Sequence, residues 1–473
     1  MTNAISRGRG LIATMIVIVV CSGVVQGYLT PLLPVVGDHV GIGGVGQNTL
    51  YLLSQVAFTV LTPLLSRWGD IWGHRRLLLI AVTMVTVGSL LIAARPTAGT
   101  LAVGMVLQAA VVGFFPLLAG ILRSRAPEHG RIGLSVLVGT LLLSIGTGGF
   151  VAGTLSDEHA LAGLWTAVPF CALAVAAAIA LPTSATPGAG RFNLPAALLL
   201  TSGLGALMLV LTEGQSWGWA SVRSLLTIAA ALVLLLAWIR VEQRSSHPLV
   251  DLGLLRNPRL AAVSAHTFCI AFGAIGFLGA NAVYLGTEPD GTGLRPGLGL
   301  GARDISLVSL AMVAVGFLGS TATPRLARII GDRAVLAAGG CVGAAGFLGL
   351  CLFHSSVLQY VAGALVVGLS TGMFEAATRS LSVEAVDEAE TALSVGINEM
   401  ALSLGAAIGA AVIGALWSSH TTGRGGVTSA GYQWAWGTCA VVALAGAAIG
   451  LLFRTRSHIP TLETGDACTE RTA

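Results

Sequence analysis

The stretch RWGDIWGHRR, residues 67–76, lies between the second and the third of several long apolar runs. Glycines at positions 69 and 73 permit backbone angles that other residues resist, so the chain can reverse tightly here. Three arginines and a histidine surround one acid, Asp70. Charge of this kind between two apolar helices is typical of a membrane surface on the side where arginine accumulates. The stretch therefore predicts a short loop between two membrane-spanning helices.

The composition excludes a soluble protein. The 473 residues are 55% hydrophobic and only 10% charged, with a mean hydropathy of +0.85, whereas soluble domains carry roughly 25% charged residues. The chain has no lysine, and because a Walker-type phosphate loop requires one, ATP-driven transport by this chain alone is excluded. The seven cysteines have neither metal-site nor disulfide spacing, so they are expected as buried hydrophobes. We expect no enzymatic activity, no cofactor and no metal.

The apolar runs are long enough to cross a bilayer, which takes about 20 residues per helix. This criterion predicts fourteen helices, at residues 10–35, 49–67, 76–95, 98–122, 132–155, 160–181, 194–213, 221–240, 260–286, 304–330, 333–353, 357–380, 392–417 and 432–454. Only five of the 25 arginines (95, 223, 295, 303 and 424) then fall outside the cell. The positive-inside rule thus supports the helix count and places both termini in the cytoplasm. The predicted fold is an all-α integral membrane protein.

Internal repetition relates the two ends of this helix array. Arg67, Gly73 and Arg75 recur about 258 residues later, and Leu143–Gly146 recurs as Leu402–Gly405. The near-constant offset predicts two pseudo-symmetric six-helix halves with two helices inserted between them. The predicted boundaries are 1–181 for the N-terminal half, 182–259 for the inserted helices and linker, 260–454 for the C-terminal half and 455–473 for a polar cytoplasmic tail.

The 67–76 loop resembles the motif G-x-x-x-D-R-x-G-R-R between helices 2 and 3 of the major facilitator superfamily of transporters. The matching residues are Asp70, Gly73, His74, Arg75 and Arg76; Ser66 and Ile71 depart from the motif. Together with the 6+2+6 plan, the sequence resembles the fourteen-helix drug:proton antiporter branch. The resemblance implies a transporter in the cell membrane that exports an amphipathic small molecule in exchange for protons. No nucleic-acid partner is implied, and a monomer is expected.

The same resemblance implies a gating loop formed by Asp70, Gly73, Arg75 and Arg76. Asp70 is expected near the cytoplasmic start of helix 13, where its charge meets the positive end of the helix dipole. Such a contact has to break when the two halves rock against each other. The loop is therefore predicted to control the opening of the cytoplasmic side.

Helix 5 contains a run of small residues that resembles the antiporter motif G-x-x-x-G-P-x-x-G-G. Gly148 and Gly153 match it, whereas Gly149 stands in the proline position and Ser144 and Ala152 stand in two glycine positions. Small residues give a smooth helix face against which another helix can move. Ordinary close packing explains the same residues, so export is suggested by the motif without being demonstrated.

Two charged positions of the family are apolar in this chain. The arginine that the family carries on helix 4 is replaced by Met105, and alignment on Pro34 puts Val25 at the place of the helix-1 acid. Loss of both partners is physically coherent, because removing only one would strand a buried charge. The usual proton-coupling site of the family is therefore absent.

Acids elsewhere in the membrane are the remaining candidates for proton coupling. Glu375 on helix 12 and Glu399 on helix 13 interrupt apolar runs, and a charge at mid-membrane costs about 2.5–3.5 kcal/mol on insertion scales. Glu399 is the first candidate; Glu375 has an alternative role as the partner of Arg379, one helical turn away. His266, the only histidine within a predicted span, is a third candidate, although a hydrogen-bonded structural role explains it better.

Neutral polar side chains on the predicted spans are candidates for lining the substrate cavity. They are Gln26 and Tyr28 on helix 1, Gln55 on helix 2, Gln108 on helix 4, Asn281 on helix 9 and Asn398 on helix 13. In the family arrangement, helices 1, 4, 9 and 12 would line a cavity near the midplane. Hydrogen bonding between helices is the alternative for these side chains.

Three functions remain open at this point. The first is export of a small molecule by proton antiport. The second is transport without proton coupling, in either direction. The third is a membrane sensor or scaffold that keeps the fold and moves nothing.

Overall fold

The computed structural model describes residues 2–41, 44–158, 161–182, 193–245, 256–276, 302–387, 391–420 and 427–452, together with 281, 284, 285, 287, 289 and 296–300. The predicted tail 455–473 and the linker residues 246–255 lie outside this description. The domain boundaries proposed from the sequence stay predictions. Within the described residues the chain is built from long helices.

The described residues contain fourteen long helical segments, in the order expected from the sequence. They are α1 (Thr2–Val40), α2 (Gly44–Trp72), α3 (His74–Ala94), α4 (Ala98–Arg125), α5 (Gly130–Glu158), α6 (Ala162–Ala180), α7 (Leu194–Trp217), α8 (Val222–Arg244), α9 (Pro258–Ala274), α10 (Ala302–Ile330), α11 (Asp332–Leu352), α12 (Val357–Glu384), α13 (Thr391–Ser418) and α14 (Ser429–Leu452). Within the described chain, twelve are long and apolar enough to cross a membrane; α2 and α9 are the other two. The described part of α9 has 17 residues.

The 67–76 stretch is more helical than the predicted loop. Residues 67–72 continue α2, and α3 begins at His74, so Gly73 alone makes the reversal, at φ +95°. Gly69 serves another purpose, because a Cβ there would collide with Leu117 of α4. The prediction of a tight reversal was right, but only Gly73 forms the turn, whereas Gly69 allows close packing between helices.

The turn between α10 and α11 repeats this construction. Gly331 separates the two helices at φ +83°. Arg75 at the start of α3 donates to the carbonyl oxygen of Ile179 in α6 at 2.5 Å, and Arg333 at the start of α11 donates to Leu451 O in α14. Equivalent arginines therefore hold the end of the last helix in each half, as the sequence repeat implies.

The helices pack as two pseudo-symmetric bundles. In the first bundle α1 packs against α5 and α6, and in the second bundle α9 packs against α13 and α14. The bundles meet where α2 contacts α13 and α5 contacts α10, and also where α5 contacts α12 and α4 contacts α13. The inserted helix α7 packs against α2 and α13, whereas α8 packs chiefly against α7 and exposes Val222, Leu226 and Val233. This exposed apolar face of α8 is suited to lipid.

Glycines on α5 let it approach helices from both bundles. A Cβ on Gly148 would lie 2.8 Å from the Cα of Val24 in α1, and a Cβ on Gly139 would lie 2.5 Å from Ser320 Oγ in α10. Gly153 has open space beside it. In the predicted helix-5 motif, Gly148 thus provides close packing, and the link of the motif to export stays a prediction.

Candidate coupling site

The N-terminal bundle is apolar at the two positions where the family carries charge. Val25 and Met105 are each 5% exposed and belong to one apolar core. Next to them, Gln108 donates from Nε2 to Tyr28 OH at 2.8 Å and to Ser89 Oγ at 2.9 Å. Two of the predicted cavity residues, Gln108 and Tyr28, are therefore paired with each other between α1 and α4.

The other predicted cavity residues also have hydrogen-bond partners. Gln26, partly buried, donates to Ser22 Oγ at 3.0 Å. Asn281 accepts a hydrogen bond from Tyr360 OH. Asn398 accepts from Thr267 Oγ1 at 2.7 Å and lies 3.5 Å from Thr378 Oγ1. The side chain of Gln55 lies outside the described residues. These contacts are those expected for hydrogen bonding between and along helices, and a role in substrate binding stays a prediction.

An ion triad lies between α12 and α13. Arg379 donates from Nη1 to Glu375 Oε2 at 2.6 Å, from Nε to Glu399 Oε1 at 2.6 Å and from Nη2 to Glu399 Oε2 at 3.1 Å. The side chains of Arg379 and Glu375 are 4% and 5% exposed, and that of Glu399 is 13% exposed. Both sequence candidates thus share one cation, and with both acids ionised the triad carries a net charge of −1.

The triad touches the N-terminal bundle at one aromatic ring. The guanidinium carbon of Arg379 lies 4.7 Å from the centroid of the Phe115 ring. Phe115 follows a short 3₁₀ segment, Ala109–Gly113, that interrupts α4. Phe115 and its contact with Arg379 were not predicted, because an aromatic residue in an apolar run carries no signal of its partner.

His266 lies apart from these partners. It is fully buried, and its Nδ1 donates to the carbonyl oxygen of Gly446 in α14 at 2.8 Å. In the part of the chain that the structure describes, its Nε2 has no hydrogen-bond partner. The Gly446 contact is what a structural histidine makes, and its proposed role as a proton carrier is not tested by this geometry.

The two bundles are joined at the face that carries the turns at Gly73 and Gly331, which we call the arginine-rich face. The Leu393 amide at the start of α13 donates to Asp70 Oδ2 at 3.0 Å, and Asp70 Oδ1 lies 2.9 Å from His74 Nε2. The structure therefore places Asp70 at the predicted helix end. Of the other loop residues, Arg75 bonds within its own bundle and Arg76 is exposed.

Two further arginines cross between the bundles at this face. Arg123 on α4 donates to the carbonyl oxygens of Val383 and Val386 at the end of α12. Arg131 on α5 donates to both Asp332 oxygens, at 2.9 and 3.2 Å, and pairs with Glu384. Neither contact was predicted, because the positive-inside rule already accounts for arginine at a helix end without naming a partner.

These contacts join the two bundles at the arginine-rich face. A carboxylate on a helix N-terminus and an arginine on helix carbonyls are polar contacts that water can replace. Two pseudo-symmetric helix bundles with twelve candidate membrane spans in the described chain are the architecture of a multi-pass membrane transporter.

Comparison with known proteins finds a family domain and relatives over most of the chain. The profile described as Major Facilitator Superfamily matches residues 263–467. The multidrug resistance protein Stp of Mycobacterium tuberculosis is 26% identical over 408 residues, covering 82% of this chain and 72% of Stp. The cephamycin export protein CmcT of Amycolatopsis lactamdurans is 26% identical over 414 residues, covering 84% of this chain and 82% of CmcT.

A solved structure shows the same fold. The human organic anion transporter MFSD10 superposes with a TM-score of 0.63 at 15% identity, covering 94% of this chain and 99% of that protein. The chain carries a Major Facilitator Superfamily domain over residues 263–467 and has the fold of transporters of that family. Members of this family are transporters and not enzymes, and relatives of this chain include multidrug and antibiotic efflux proteins.

Proposed function

We propose that this protein exports an amphipathic small molecule across the cell membrane in exchange for protons, as a monomer with both termini in the cytoplasm. The observation that carries the proposal is the Glu375–Arg379–Glu399 triad, which buries two acids and one cation between α12 and α13, whereas the N-terminal bundle has the apolar Val25 and Met105 at the family's charged positions. The names of the relatives Stp and CmcT support drug or antibiotic export.

The triad suits reversible protonation because opposing effects act on its acids. Burial favours the neutral form of a carboxylic acid, and a nearby cation favours the ionised form. Arg379 is shared, so neither acid holds the cation alone. Glu399 is the more exposed of the two and is the first proton acceptor in our proposal. One proton brings the triad from a net charge of −1 to neutrality, which lowers the cost of keeping it in the membrane.

A pure structural role for the triad is the specific alternative. A buried carboxylate–arginine–carboxylate group with every acid paired can persist without any function. The chain would then transport without proton coupling or act as a sensor. Flux distinguishes these possibilities, because a sensor moves nothing and an uncoupled transporter ignores the pH gradient.

The test is accumulation of fluorescent amphipathic dyes, ethidium among them, by proteoliposomes with an imposed pH gradient. Proton antiport predicts accumulation that collapses when an uncoupler is added. Flux that is the same with and without the uncoupler would contradict antiport, and the absence of flux for every dye that binds would favour the sensor.

The orientation of the helices is tested by accessibility. In a variant without native cysteines, single cysteines at Ser216 and Ser419 should react from outside with a membrane-impermeant thiol reagent. Cysteines at Arg244 and Asp387 should react only after the membrane is opened, because the arginine-rich side is expected to face the cytoplasm. Labelling of position 244 from outside would remove the two-helix insertion from the proposal.

Asp70→Asn tests the proposed gate. The change removes the charge that meets the start of α13, and such a contact is worth about 0.3–2 kcal/mol, so transport should fall by up to about thirtyfold. Expression and insertion should stay normal by immunoblot. Asp304→Asn, a charge loss at the exposed start of α10, is the matched control. Wild-type flux in Asp70→Asn would contradict the gating role.

A further inference from the structure

Arg379 is held by two acids of its own bundle and by one aromatic ring of the other bundle. We propose that Phe115 is a positioning residue that transmits the charge state of the triad to the N-terminal bundle. This inference rests on the proposed function, since it assigns a role within proton coupling. The geometry behind it is the 4.7 Å separation between the Arg379 guanidinium carbon and the Phe115 ring centroid.

The surroundings of the ring strengthen this contact. Phe115 is 6% exposed and lies in an apolar core that also contains Ala376, the neighbour of Glu375 on α12. Attraction between a cation and an aromatic face grows when water is excluded. The core continues from one bundle into the other here, so the ring contacts the triad directly, without an intervening polar group.

The ring and the carboxylates compete for the same cation. Three N–H donors of Arg379 point to Glu375 and Glu399, which leaves the face of the guanidinium for the ring. A proton on Glu399 removes one of the negative charges that hold the cation on its own bundle. The share of the cation held by Phe115 therefore changes with protonation, and with it the contact between the bundles.

The other charged groups near α12 and α13 have different partners. Asp70 meets the Leu393 amide and His74, Arg123 meets the carbonyl oxygens at the end of α12, and His266 meets Gly446 O. Arg131 joins Asp332 and Glu384 at the arginine-rich face. Among the contacts that the structure describes between the bundles, only that of Phe115 reaches the triad cation.

The test compares Phe115→Leu with Phe115→Tyr. Leucine keeps an apolar side chain and loses the aromatic face, whereas tyrosine keeps the face. In proteoliposomes with an imposed pH gradient, Phe115→Leu should lower the initial rate of ethidium uptake by up to about thirtyfold, the factor that corresponds to a desolvated cation–π contact, and should shift the pH of half-maximal transport. Phe115→Tyr should keep the wild-type rate of ethidium uptake and the wild-type pH of half-maximal transport. Phe114→Leu removes a ring from the adjacent buried position and is the matched control.

The outcomes separate this inference from the proposed function. Suppose that Glu399→Gln abolishes pH-driven accumulation, while Phe115→Leu and Phe115→Tyr have the same rate of ethidium uptake and the same pH of half-maximal transport. Transmission through Phe115 is then wrong, and proton antiport stands. If Glu399→Gln and Glu375→Gln both keep accumulation, the proposed function fails first. If the leucine variant is unstable, Phe115→Met replaces it, because methionine also fills the site without a ring. A wild-type pH profile of transport in Phe115→Met would overturn the inference as well.

Discussion

Glu399→Gln is expected to abolish accumulation driven by a pH gradient while leaving downhill exchange measurable. Glutamine has the shape of the protonated acid and cannot release a proton, so substrate movement loses its link to the gradient. If one proton is exchanged for each singly charged dye cation such as ethidium, the exchange moves no net charge, and a gradient of about one pH unit supports about tenfold accumulation. In proteoliposomes with Glu399→Gln, the ratio of internal to external dye concentration should be about one.

The measurement is dye accumulation in proteoliposomes, with Glu213→Gln as the control. Glu213 lies near the end of α7, where it accepts a hydrogen bond from Ser216 at 2.8 Å, and its loss should leave the ratio unchanged. Glu375→Gln should reduce accumulation less than Glu399→Gln, because Glu375 is the less accessible acid. Accumulation against the gradient in both variants would show that these acids do not couple protons, and uncoupled transport would be the better account.

Arg379→Gln is expected to have the largest effect on stability. Both carboxylates would lose their shared partner while staying buried, and breaking a buried ion group in this way costs about 3–5 kcal/mol. The triple variant Glu375→Gln, Arg379→Gln and Glu399→Gln should recover most of this loss, because no uncompensated charge remains. The purified variants are compared by thermal unfolding in detergent.

Arg76→Gln is the matched control for that comparison. It removes an exposed arginine at the start of α3, and we expect a change in stability within about 0.5 kcal/mol. If Arg379→Gln is as stable as the wild type, the acids of the triad are already neutral or hydrated, and the charge balance proposed for the triad is wrong.

The class of fold could be predicted from the sequence because membrane helices are local. About twenty apolar residues and the positions of the arginines determine each helix without knowledge of its neighbours. The limits of this reasoning show at Gly69, which looks like a turn glycine by composition. In the structure Gly69 is a helical residue with Leu117 packed against it, and that neighbour is almost fifty residues away in the sequence.

Only one of the two ion pairs of the triad could be predicted from the sequence. Glu375 and Arg379 are four residues apart on one helix, so their pairing follows from helix geometry. Glu399 lies on the next helix and Phe115 in the other bundle, and periodicity carries no information about either contact. The sequence alone identified Glu375 and Glu399 as acids within the membrane, but it could not predict that Arg379 contacts both Glu399 and Phe115.

The hydrogen-bond partners of polar residues in the N-terminal bundle could not be predicted from the sequence either. Gln108 and Tyr28 were chosen as cavity residues because each is polar within an apolar run. Their hydrogen bond to each other joins α1 and α4, and only the packed structure reveals such a partner. The absence of charge at Val25 and Met105 was readable directly, and it is what moves the coupling site to the C-terminal bundle in our account.

Proton release on substrate binding tests this account most directly. The purified protein in weakly buffered detergent solution is mixed with a dye that it transports, and the pH change is followed with an indicator. If Glu399 exchanges its proton for substrate, the wild type should release up to about one proton per bound dye by linkage, and Glu399→Gln should bind the dye and release none. Equal proton release by the two proteins would contradict coupling through the triad.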